Sequence, residues 1–430
     1  MASTTSPFRF VFLFSVIGLV STSAPRLSLK LVPSNPIHAL QIPEGRTDYL
    51  RVKANPSSSH PGYLGDKETP KTVNSRVIPF PGVSWFLANI SIGEPPLSQL
   101  FLIDTGSDLT WLQCLPCKCY PQTIPFYSPS KSSSYRNASC ESVPSAMPQV
   151  IYDSEAGICR YFLKYMDRTS TRGVLAEEKL TFQTTDEGLA SVSDMVIGCG
   201  HENYDSYNLF SGVLGLGPGT FSIVKRFGSR FSYCFGALTD PSYLHNVLIL
   251  GDGAILEGDP TRVEISDDQY FVNLEGISIG EKDLDIEPEI FKRNRYGSGT
   301  IIDTGCSVTI LERITYENIV WEVNLLLDGV IERAEGYDTY TKPCFKGRVE
   351  RDLLGFPVVR LRFEGGAELG LDAESLFVGN GSDEFCLALR MNLSDDRNVI
   401  GASAQQKYNV GFDLDDNKVY FQRIDCELLY

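Results

Sequence analysis

Histidine and basic residues are scarce in this sequence. Only four of the 430 residues are histidines, which argues against chemistry that depends on imidazole. The 38 Lys and Arg are outnumbered by 54 Asp and Glu, and the formal net charge is −16. Because so negative a protein repels phosphate backbones and anionic lipids, we expect neither nucleic acid nor a charged membrane surface as a partner.

Long apolar runs are absent after the first 24 residues. Within Met1–Ala24, one basic residue, Arg9, precedes an apolar run from Phe10 to Val20. This pattern predicts a signal peptide cut near Ala24, since the apolar core is too short for a mature membrane helix. A retained anchor is the alternative. The mature chain is therefore predicted to be soluble and secreted, with the vacuole as the alternative destination.

Charged residues make up only 21% of the chain, which argues against a disordered protein. The hydrophobic content of 42% and the aromatic content of 11% are enough for sizeable cores. A length of 430 residues predicts two or three domains. The acidic composition fits an acidic working compartment without establishing one.

One short motif, Asp-Thr-Gly, is present twice. The chain reads FLIDTGSDLTW at Phe101–Trp111 and IIDTGCSVT at Ile301–Thr309. In both copies an apolar strand end precedes the Asp, and the Gly permits a sharp turn. Two ordinary Asx turns are the alternative. Brought together, the two loops would form a dyad of Asp104 and Asp303, in which close carboxylates share one proton and can activate a water.

The segment Pro25–Pro79 is rich in Pro, Ser and basic residues and shows no sustained periodicity. A basic leader ahead of an acidic body predicts a detachable pro-segment. Such a segment would pair with an acidic cleft until acid protonates the carboxylates. A disordered linker is the alternative.

After Phe80 the sequence becomes rich in short apolar strands separated by Gly, Pro, Asn and Ser, which predicts an all-β architecture. The repeated motif predicts two similar lobes, residues 80–258 and 259–430, with the boundary in Gly251–Asp268. The longest predicted strands are Val174–Phe182, Val272–Ile279, Phe356–Phe363, Leu369–Val378 and Tyr408–Phe421. The predicted helices are Phe221–Phe227, Ile314–Asp328 and Ala402–Lys407.

Several further motifs resemble the pepsin-like aspartic proteases, and in particular their plant nepenthesin-like branch. Besides the two Asp motifs, they are NISIGEPP (Asn89–Pro96), CLPCKCY (Cys114–Tyr120), GVLGLG (Gly212–Gly217), FSYC (Phe231–Cys234) and GFDLDDNKVYFQRIDC (Gly411–Cys426). The resemblance covers roughly Phe86 to Cys426. It implies a bilobal pepsin-like fold, all-β with few short helices, and an active site between the lobes.

The resemblance also implies roles for the residues of the two loops. One carboxylate of Asp104 and Asp303 would take a proton from a water while the other donates to the scissile carbonyl. Thr105 and Thr304 would join the loops by hydrogen bonds, and Ser107 would donate to the outer oxygen of Asp104. The other loop residues that support the dyad are Gly106, Gly305 and Cys306. The segments expected beneath the loops are Val213–Gly215 and Val399–Gly401.

A flap over the cleft is implied at Tyr161–Phe182, with Tyr165 as the flap tyrosine bonded to Trp111. A tyrosine packed within a strand is the alternative. Two positions depart from the family pattern. Met166 stands where the family usually has Gly, and Cys306 stands where it has Ser or Thr; a thiol is the weaker hydrogen-bond donor.

The sequence contains 11 cysteines, and secretion favours disulfides over thiols. The resemblance implies the pairs Cys114–Cys117, Cys119–Cys199, Cys234–Cys426 and Cys344–Cys386. Exclusion then pairs Cys140 with Cys159 and leaves Cys306 as a thiol beside the dyad, although sequence alone does not fix connectivity. A zinc site at the clustered Cys114, Cys117 and Cys119 is the alternative, but no partner pair with metal spacing follows, so no metal is predicted.

Four N-x-S triplets mark candidate glycosylation sites, at Asn89, Asn137, Asn380 and Asn392. Asn137 and Asn392 lie in loops rich in Ser or Asp and are favoured. Asn89 begins a predicted buried strand and is expected to be at best partly modified.

The sequence as a whole predicts a secreted or vacuolar endopeptidase that hydrolyses a polypeptide substrate at acidic pH. No cofactor is implied, and a chain that carries both Asp loops is expected to act as a monomer. The rival prediction is a non-catalytic member of the same fold that binds or inhibits other enzymes. Both Asp residues favour the enzyme, whereas Cys306 and Met166 are changes of the kind that precede loss of catalysis.

Overall fold

The structure is a computed structural model that describes residues 27–34, 85–140, 150–183, 188–205, 210–240, 243–294, 298–338, 342–379, 383–393 and 397–429. The predicted signal peptide and most of the predicted pro-segment lie outside these residues. The described chain is built mainly from strands, with three short or medium α-helices and a few 3₁₀ turns. The all-β prediction is confirmed.

The strands of the first half of the chain are β1 (Leu27–Ser34), β2 (Trp85–Ile92), β3 (Leu97–Asp104), β4 (Trp111–Lys118), β5 (Arg136–Asn137), β6 (Val150–Asp153), β7 (Ile158–Lys164), β8 (Ser170–Gln183), β9 (Leu189–Tyr204), β10 (Gly212–Gly215), β11 (Arg230–Phe235) and β12 (Val247–Leu250). Those of the second half are β13 (Asp259–Ser266), β14 (Gln269–Val272), β15 (Leu274–Ile279), β16 (Lys282–Asp283), β17 (Gly299–Ile302), β18 (Thr309–Leu311), β19 (Cys344–Lys346), β20 (Val359–Phe363), β21 (Glu368–Leu371), β22 (Phe377–Gly379), β23 (Glu384–Leu387), β24 (Leu389–Met391), β25 (Arg397–Ile400), β26 (Tyr408–Asp413) and β27 (Lys418–Arg423).

The helices are α1 (Arg313–Leu327), α2 (Val349–Asp352) and α3 (Ala373–Leu376), and 3₁₀ turns lie at Pro129–Lys131, Ile223–Phe227, Pro288–Phe291, Glu364–Gly366, Ala402–Gln405 and Cys426–Leu429. Helix α1 begins after Glu312, whose carboxylate accepts the N–H of Ile314 at 2.9 Å and that of Thr315. Acidic capping of this kind satisfies N–H groups that lack a partner within the helix. No helix in the described part of the chain is long and apolar enough to cross a bilayer.

One antiparallel sheet is shared by both halves of the chain. Its strands pair in the order β1-β12-β11-β26-β27-β13, so strands from near residue 30, from the middle and from the C-terminal end lie side by side. Aromatic stacking reinforces the central pair, since the rings of Phe231 on β11 and Phe412 on β26 lie 4.5 Å apart and nearly parallel. This sheet joins the two lobes behind the site.

Each lobe contains the same three-strand arrangement around its Asp motif. In the first, β10 runs parallel to β3 and antiparallel to β4. In the second, β25 runs parallel to β17 and antiparallel to β18. Parallel neighbours end at the same edge, so β10 and β25 lie beside the strands that lead to Asp104 and Asp303. The bilobal prediction agrees with this internal repeat.

Three predicted elements differ from the structure. The predicted strand Val272–Ile279 is two strands that break at Asn273. Leu369–Val378 contains α3, because Asp372 accepts the N–H of Ser375 at 3.1 Å and starts a helical turn there. Tyr408–Phe421 is a hairpin, β26 and β27, whose turn places Asn417 at a φ of 53°.

The N-terminal segment also departs from the prediction. Pro25–Pro79 was expected to lack periodic structure, yet its residues Leu27–Ser34 form β1, which pairs antiparallel with both β12 and β2. The sequence LSLKL, with leucines at 27, 29 and 31, is the alternation that marks such a strand. This part of the predicted pro-segment therefore pairs with the shared sheet.

Candidate active site

The two Asp-Thr-Gly loops meet between the lobes. Asp104 is the last residue of β3 and lies in register with Gly215 of β10. Asp303 follows β17, and its N–H donates to the carbonyl oxygen of Ile400 at the end of β25, 3.1 Å away. Each Asp therefore projects from a strand end that a parallel neighbour supports.

The glycines of the two motifs allow the carboxyl groups to approach each other's loops. A Cβ atom at Gly106 would lie 2.7 Å from Cγ of Asp303, and one at Gly305 would lie 2.4 Å from Oδ1 of Asp104. Each glycine N–H also donates to the carboxyl of its own loop at 2.8 Å. Any side chain at either position would push the two loops apart.

The threonines bind the loops together through four buried hydrogen bonds. The N–H of Thr105 donates to Oγ1 of Thr304 at 3.1 Å, and the N–H of Thr304 donates to Oγ1 of Thr105 at 3.0 Å. Each hydroxyl in turn donates across the interface, Thr105 to the carbonyl of Ile302 at 3.2 Å and Thr304 to that of Ile103 at 2.9 Å. Every donor and acceptor of this group is paired, which fixes the geometry of the dyad.

The two carboxyl groups differ in pKa because their surroundings differ. Burial, the charge of Asp104 and a hydrogen bond between the carboxyls raise the pKa of Asp303 well above its ordinary value. Burial also raises the pKa of Asp104, but the Ser107 hydroxyl, the Gly106 N–H and the bond with Asp303 oppose that effect. The shared proton therefore belongs on Asp303, and Asp104 is the ionised partner.

The residues after the two motifs differ in what they contact. The Ser107 hydroxyl donates to Oδ2 of Asp104. At the matching position the thiol of Cys306 donates to the carbonyl oxygen of Val308, 3.0 Å away. Burial and the charge of Asp303 raise the pKa of this thiol, so it is uncharged. The two carboxyls thus receive unequal side-chain support.

A hairpin of β7 and β8 covers the first loop. At its tip the N–H of Tyr165 donates to the carbonyl of Thr169 at 2.8 Å, and the indole N–H of Trp111 donates to the Tyr165 hydroxyl at 2.7 Å. Met166 is 77% exposed, and the residue with a positive φ in this turn is Arg168, at 76°. The tip therefore forms without a glycine at position 166.

Two family models and several known proteins match this chain. Residues 86–252 match the family model described as xylanase inhibitor N-terminal, and residues 269–423 match the one described as xylanase inhibitor C-terminal. The aspartyl protease UND of Arabidopsis thaliana is 37% identical over 353 residues, which cover 80% of this chain and 85% of that protein. Aspartic proteinase nepenthesin-2 of Nepenthes gracilis is 29% identical over 360 residues, or 81% of this chain and 79% of that protein.

The chain belongs to the pepsin-like aspartic proteases of plants. Solved structures agree with the fold. Basic 7S globulin from soybean matches with a TM-score of 0.62 and 18% identity over 79% of this chain and 92% of that chain. Conglutin gamma from lupine seeds matches with a TM-score of 0.62 and 15% identity over 95% and 99% of the two chains. At such identities the likeness concerns the fold alone.

The disulfides of this family member differ in part from the predicted set. The structure joins Cys114 to Cys199 and Cys117 to Cys119, where the prediction was Cys114–Cys117 and Cys119–Cys199. The reason lies in the β4–β9 pair, whose register sets Leu112 against Cys199 and brings Cys114 within 5.3 Å of it, Cα to Cα. The expected pairs Cys140–Cys159, Cys234–Cys426 and Cys344–Cys386 are present, and Cys306 is a thiol.

The candidate glycosylation sites are unequal in the structure. Asn137 is exposed in β5. Asn89 is half-buried in β2, where its side-chain oxygen accepts from Ser98. The amide of Asn392 donates to the carbonyl of Arg397 at 2.9 Å, and Asn380 lies outside the described residues. In the described part of the chain, no three His, Cys, Asp or Glu side chains are grouped as metal ligands.

Sequence reasoning missed two buried carboxyl groups of the first lobe. Asp108 lies next to the first loop and accepts the N–H of Gly219 at 2.7 Å. Glu178 is fully buried in β8 and accepts from the hydroxyls of Tyr127 and Ser134. The sequence signal for Asp108 is a second Asp that follows the Asp-Thr-Gly motif after one serine. For Glu178 the sequence offers only an acidic residue within a predicted strand.

Proposed function

We propose that this chain is an aspartic endopeptidase that hydrolyses peptide bonds at acidic pH. The observation that carries the proposal is the pair of carboxyl groups of buried Asp104 and half-buried Asp303, on loops joined by the two threonines. The names of the relatives, which are aspartic proteases and proteinases, support the same class of reaction.

The proposed mechanism assigns one role to each carboxyl. Ionised Asp104 accepts a proton from a water held between the two groups, and protonated Asp303 donates to the carbonyl oxygen of the scissile bond. The water attacks the carbonyl carbon to give a tetrahedral diol, and Asp104 then passes its proton to the amide nitrogen. The C–N bond breaks to release the amine, a diol hydroxyl returns a proton to Asp303, and no covalent intermediate with the protein forms. The raised pKa of Asp303 keeps its proton in place at the acidic pH at which the reaction runs.

The substrate is proposed to be an extended stretch of polypeptide that lies between the lobes under the flap. Its backbone would pair with the hairpin of β7 and β8 as an added strand, which supplies binding energy independently of side chains. The hydrogen bond from the Trp111 indole N–H to the Tyr165 hydroxyl would hold the flap in one position over the dyad.

Maturation and location complete the proposal. We propose that residues 1–24 are removed as a signal peptide, that residues 25–79 include a detachable pro-segment, and that the protein is secreted or vacuolar and carries a glycan at exposed Asn137. It would act as a monomer without a metal or organic cofactor. Sequencing the N-terminus of the purified protein tests both cleavage sites.

Hydrolysis of an unfolded protein from pH 2 to 7 tests the activity. The purified mature chain should cleave with a maximum in acid, and Asp303→Asn and Asp104→Asn should each lose at least about 10³-fold. Asp413→Asn is the control, since Asp413 is also buried but pairs with Arg230 at 2.9 Å on the shared sheet. Absence of cleavage by the unmodified chain at every pH contradicts the proposal.

The second candidate is a non-catalytic protein that binds or inhibits another enzyme. The description of both matching family models as xylanase inhibitor domains favours it, as does the Cys306 thiol that does not donate to Asp303. Titration of a xylanase with the Asp303→Asn variant separates the two candidates. An inhibitor retains its effect in this variant, whereas an enzyme loses its activity.

A further inference from the structure

A third carboxyl group, that of Asp108, belongs to the first Asp loop. Asp108 is the fourth residue after Asp104 and is only 9% exposed. The equivalent position in the second loop, four residues after Asp303, is Ser307. The first catalytic loop thus carries a buried acidic group that its counterpart lacks, and the proposed mechanism does not use it.

The carboxyl of Asp108 is enclosed by a glycine turn. Its Oδ1 accepts the N–H of Gly219 at 2.7 Å. A Cβ atom at Gly217 would lie 2.4 Å from Oδ1, and one at Gly219 would lie 2.0 Å from Oδ2. Only glycine at these two positions leaves room for the carboxyl, so the turn is shaped to receive it.

The same turn holds the backbone of the catalytic loop. The N–H of Leu216 donates to the carbonyl of Asp104, and that of Gly217 donates to the carbonyl of Ser107, each at 2.8 Å. With the bond from Gly219 to Asp108, three consecutive contacts fix the loop on residues 216–219. A change in the charge of Asp108 would therefore affect how these residues hold the backbone of Asp104.

The turn is also tied to the second lobe. The hydroxyl of Tyr270, on β14, donates to the carbonyl of Leu216 at 2.8 Å. Strand β14 pairs with β17, with Phe271 opposite Ile301, and β17 leads to Asp303. The turn that receives Asp108 is thus in contact with the elements that position both catalytic carboxyls.

The surroundings of Asp108 favour its uncharged form. Burial raises its pKa to about 7, and the carboxylates of Asp268 and Asp104 act in the same direction; the Gly219 N–H and Lys225 oppose them. Tyr270 is the other titratable group that faces it, and its phenol is uncharged because burial raises its pKa. A carboxyl whose pKa is raised by folding stabilises the fold fully only below its ordinary pKa, and this stabilisation is lost progressively as the pH rises from there to about 7.

We propose that Asp108 is a positioning residue for Asp104: uncharged, it seats the first catalytic loop on the turn of residues 216–219, and on ionisation the cost of burying its charge weakens that seat although the Gly219 N–H still donates to it. The dyad of Asp104 and Asp303 would then be fully ordered only at acidic pH. Its kinetic consequence rests on the proposed protease function, but its structural consequence does not.

Two substitutions at the same position test the kinetic part. Asp108→Ala removes the acceptor for Gly219, and kcat at the acidic optimum should fall about 10- to 100-fold with KM within about twofold. Asp108→Asn keeps an oxygen acceptor and cannot ionise, so it should recover most of the kcat that Asp108→Ala loses. An Asn variant as slow as the Ala variant, or an Ala variant with unchanged kcat, overturns the positioning role.

Thermal melting against pH tests the structural part without any need for catalysis. The melting temperature of the unmodified chain should fall between about pH 4 and 7.5, and Asp108→Asn should reduce that fall by roughly 5 °C. Asp413→Asn, at another buried carboxyl, should leave the fall unchanged. If Asp108→Asn melts with the same pH dependence as the unmodified chain, the proposal is wrong. If no variant cleaves at any pH while the melting difference is present, it is the protease proposal that fails.

Discussion

The thiol of Cys306 donates to the carbonyl oxygen of Val308 and not to the carboxyl of Asp303. In the first loop the Ser107 hydroxyl donates to the carboxyl of Asp104, so the two halves of the dyad are supported differently. A donor stabilises the ionised form of a carboxyl. The asymmetry therefore favours the assignment of the shared proton to Asp303.

Replacing Cys306 with serine should move the alkaline limb of the pH profile. A serine hydroxyl aimed at Asp303 would lower its pKa, so the proton needed for catalysis would be lost at lower pH. We expect the limb of kcat/KM to shift down by roughly 0.5 to 1 unit. Cys306→Ala, which removes the thiol without adding a donor, is the control. Superimposable profiles for the serine and alanine variants would contradict the explanation.

Replacing Thr304 with valine should affect both stability and rate. The substitution keeps the shape but leaves the Thr105 N–H and the Ile103 carbonyl without their partner, both buried between the lobes. We expect a loss of about 2–3 kcal/mol in the free energy of unfolding and at least a tenfold fall in kcat, measured by denaturant unfolding and steady-state kinetics. Thr261→Val is the matched control, since the buried Thr261 hydroxyl has no hydrogen-bond partner among the described residues. An equal loss in both variants would rule out a special role for the threonine bridge.

Replacing Tyr165 with phenylalanine tests the flap. Trp111 would lose the acceptor of its indole N–H, and one hydrogen bond of about 1–1.5 kcal/mol corresponds to roughly a tenfold fall in kcat/KM. Tyr161→Phe, on the same hairpin, removes a hydroxyl that pairs with that of Thr171 at 2.8 Å. That control should lose stability but keep its kcat/KM. If the two variants have the same kcat/KM, Tyr165 is a packed strand tyrosine and no more.

The disulfide assignment predicts unequal losses of stability. The Cys114–Cys199 bond closes a loop of 85 residues and the Cys117–Cys119 bond one of two. Chain entropy then predicts that replacing both cysteines of the first pair with serine costs about 4 kcal/mol, and of the second about 1 kcal/mol. Mass spectrometry of a non-reduced digest provides the direct check. A peptide that joins Cys119 to Cys199 would restore the assignment first expected from the sequence.

The dyad could be located from the sequence because its signal is local. An apolar strand end, Asp-Thr-Gly and a turn are all contained in a few residues, and the motif occurs twice, at Asp104 and Asp303. The same locality explains the helix predicted at Ile314–Asp328, which the structure gives as Arg313–Leu327. Its buried face repeats at helical spacing.

Features that depend on register could not be derived in this way. Which of Cys114, Cys117 and Cys119 meets Cys199 is decided by the alignment of β4 with β9, and a shift of one residue exchanges the faces of a strand. The hydrogen bond that the Gly219 N–H donates to Asp108 joins residues 111 positions apart through a turn that the sequence shows only as a glycine-rich stretch. Leu27–Ser34 was missed because its neighbours are rich in Pro and Ser, which hid a short alternation.

The sheet shared by both lobes has a consequence for synthesis on the ribosome. Strand β11 must wait until β26, which lies much later in the chain, has been made before its second edge is covered. Until then a nascent chain exposes an open strand edge that invites aggregation, so folding would benefit from chaperones that hold it. Long-range pairing of this kind also folds slowly. A product truncated before β26 would consequently leave the edge of β11 uncovered and the shared sheet incomplete.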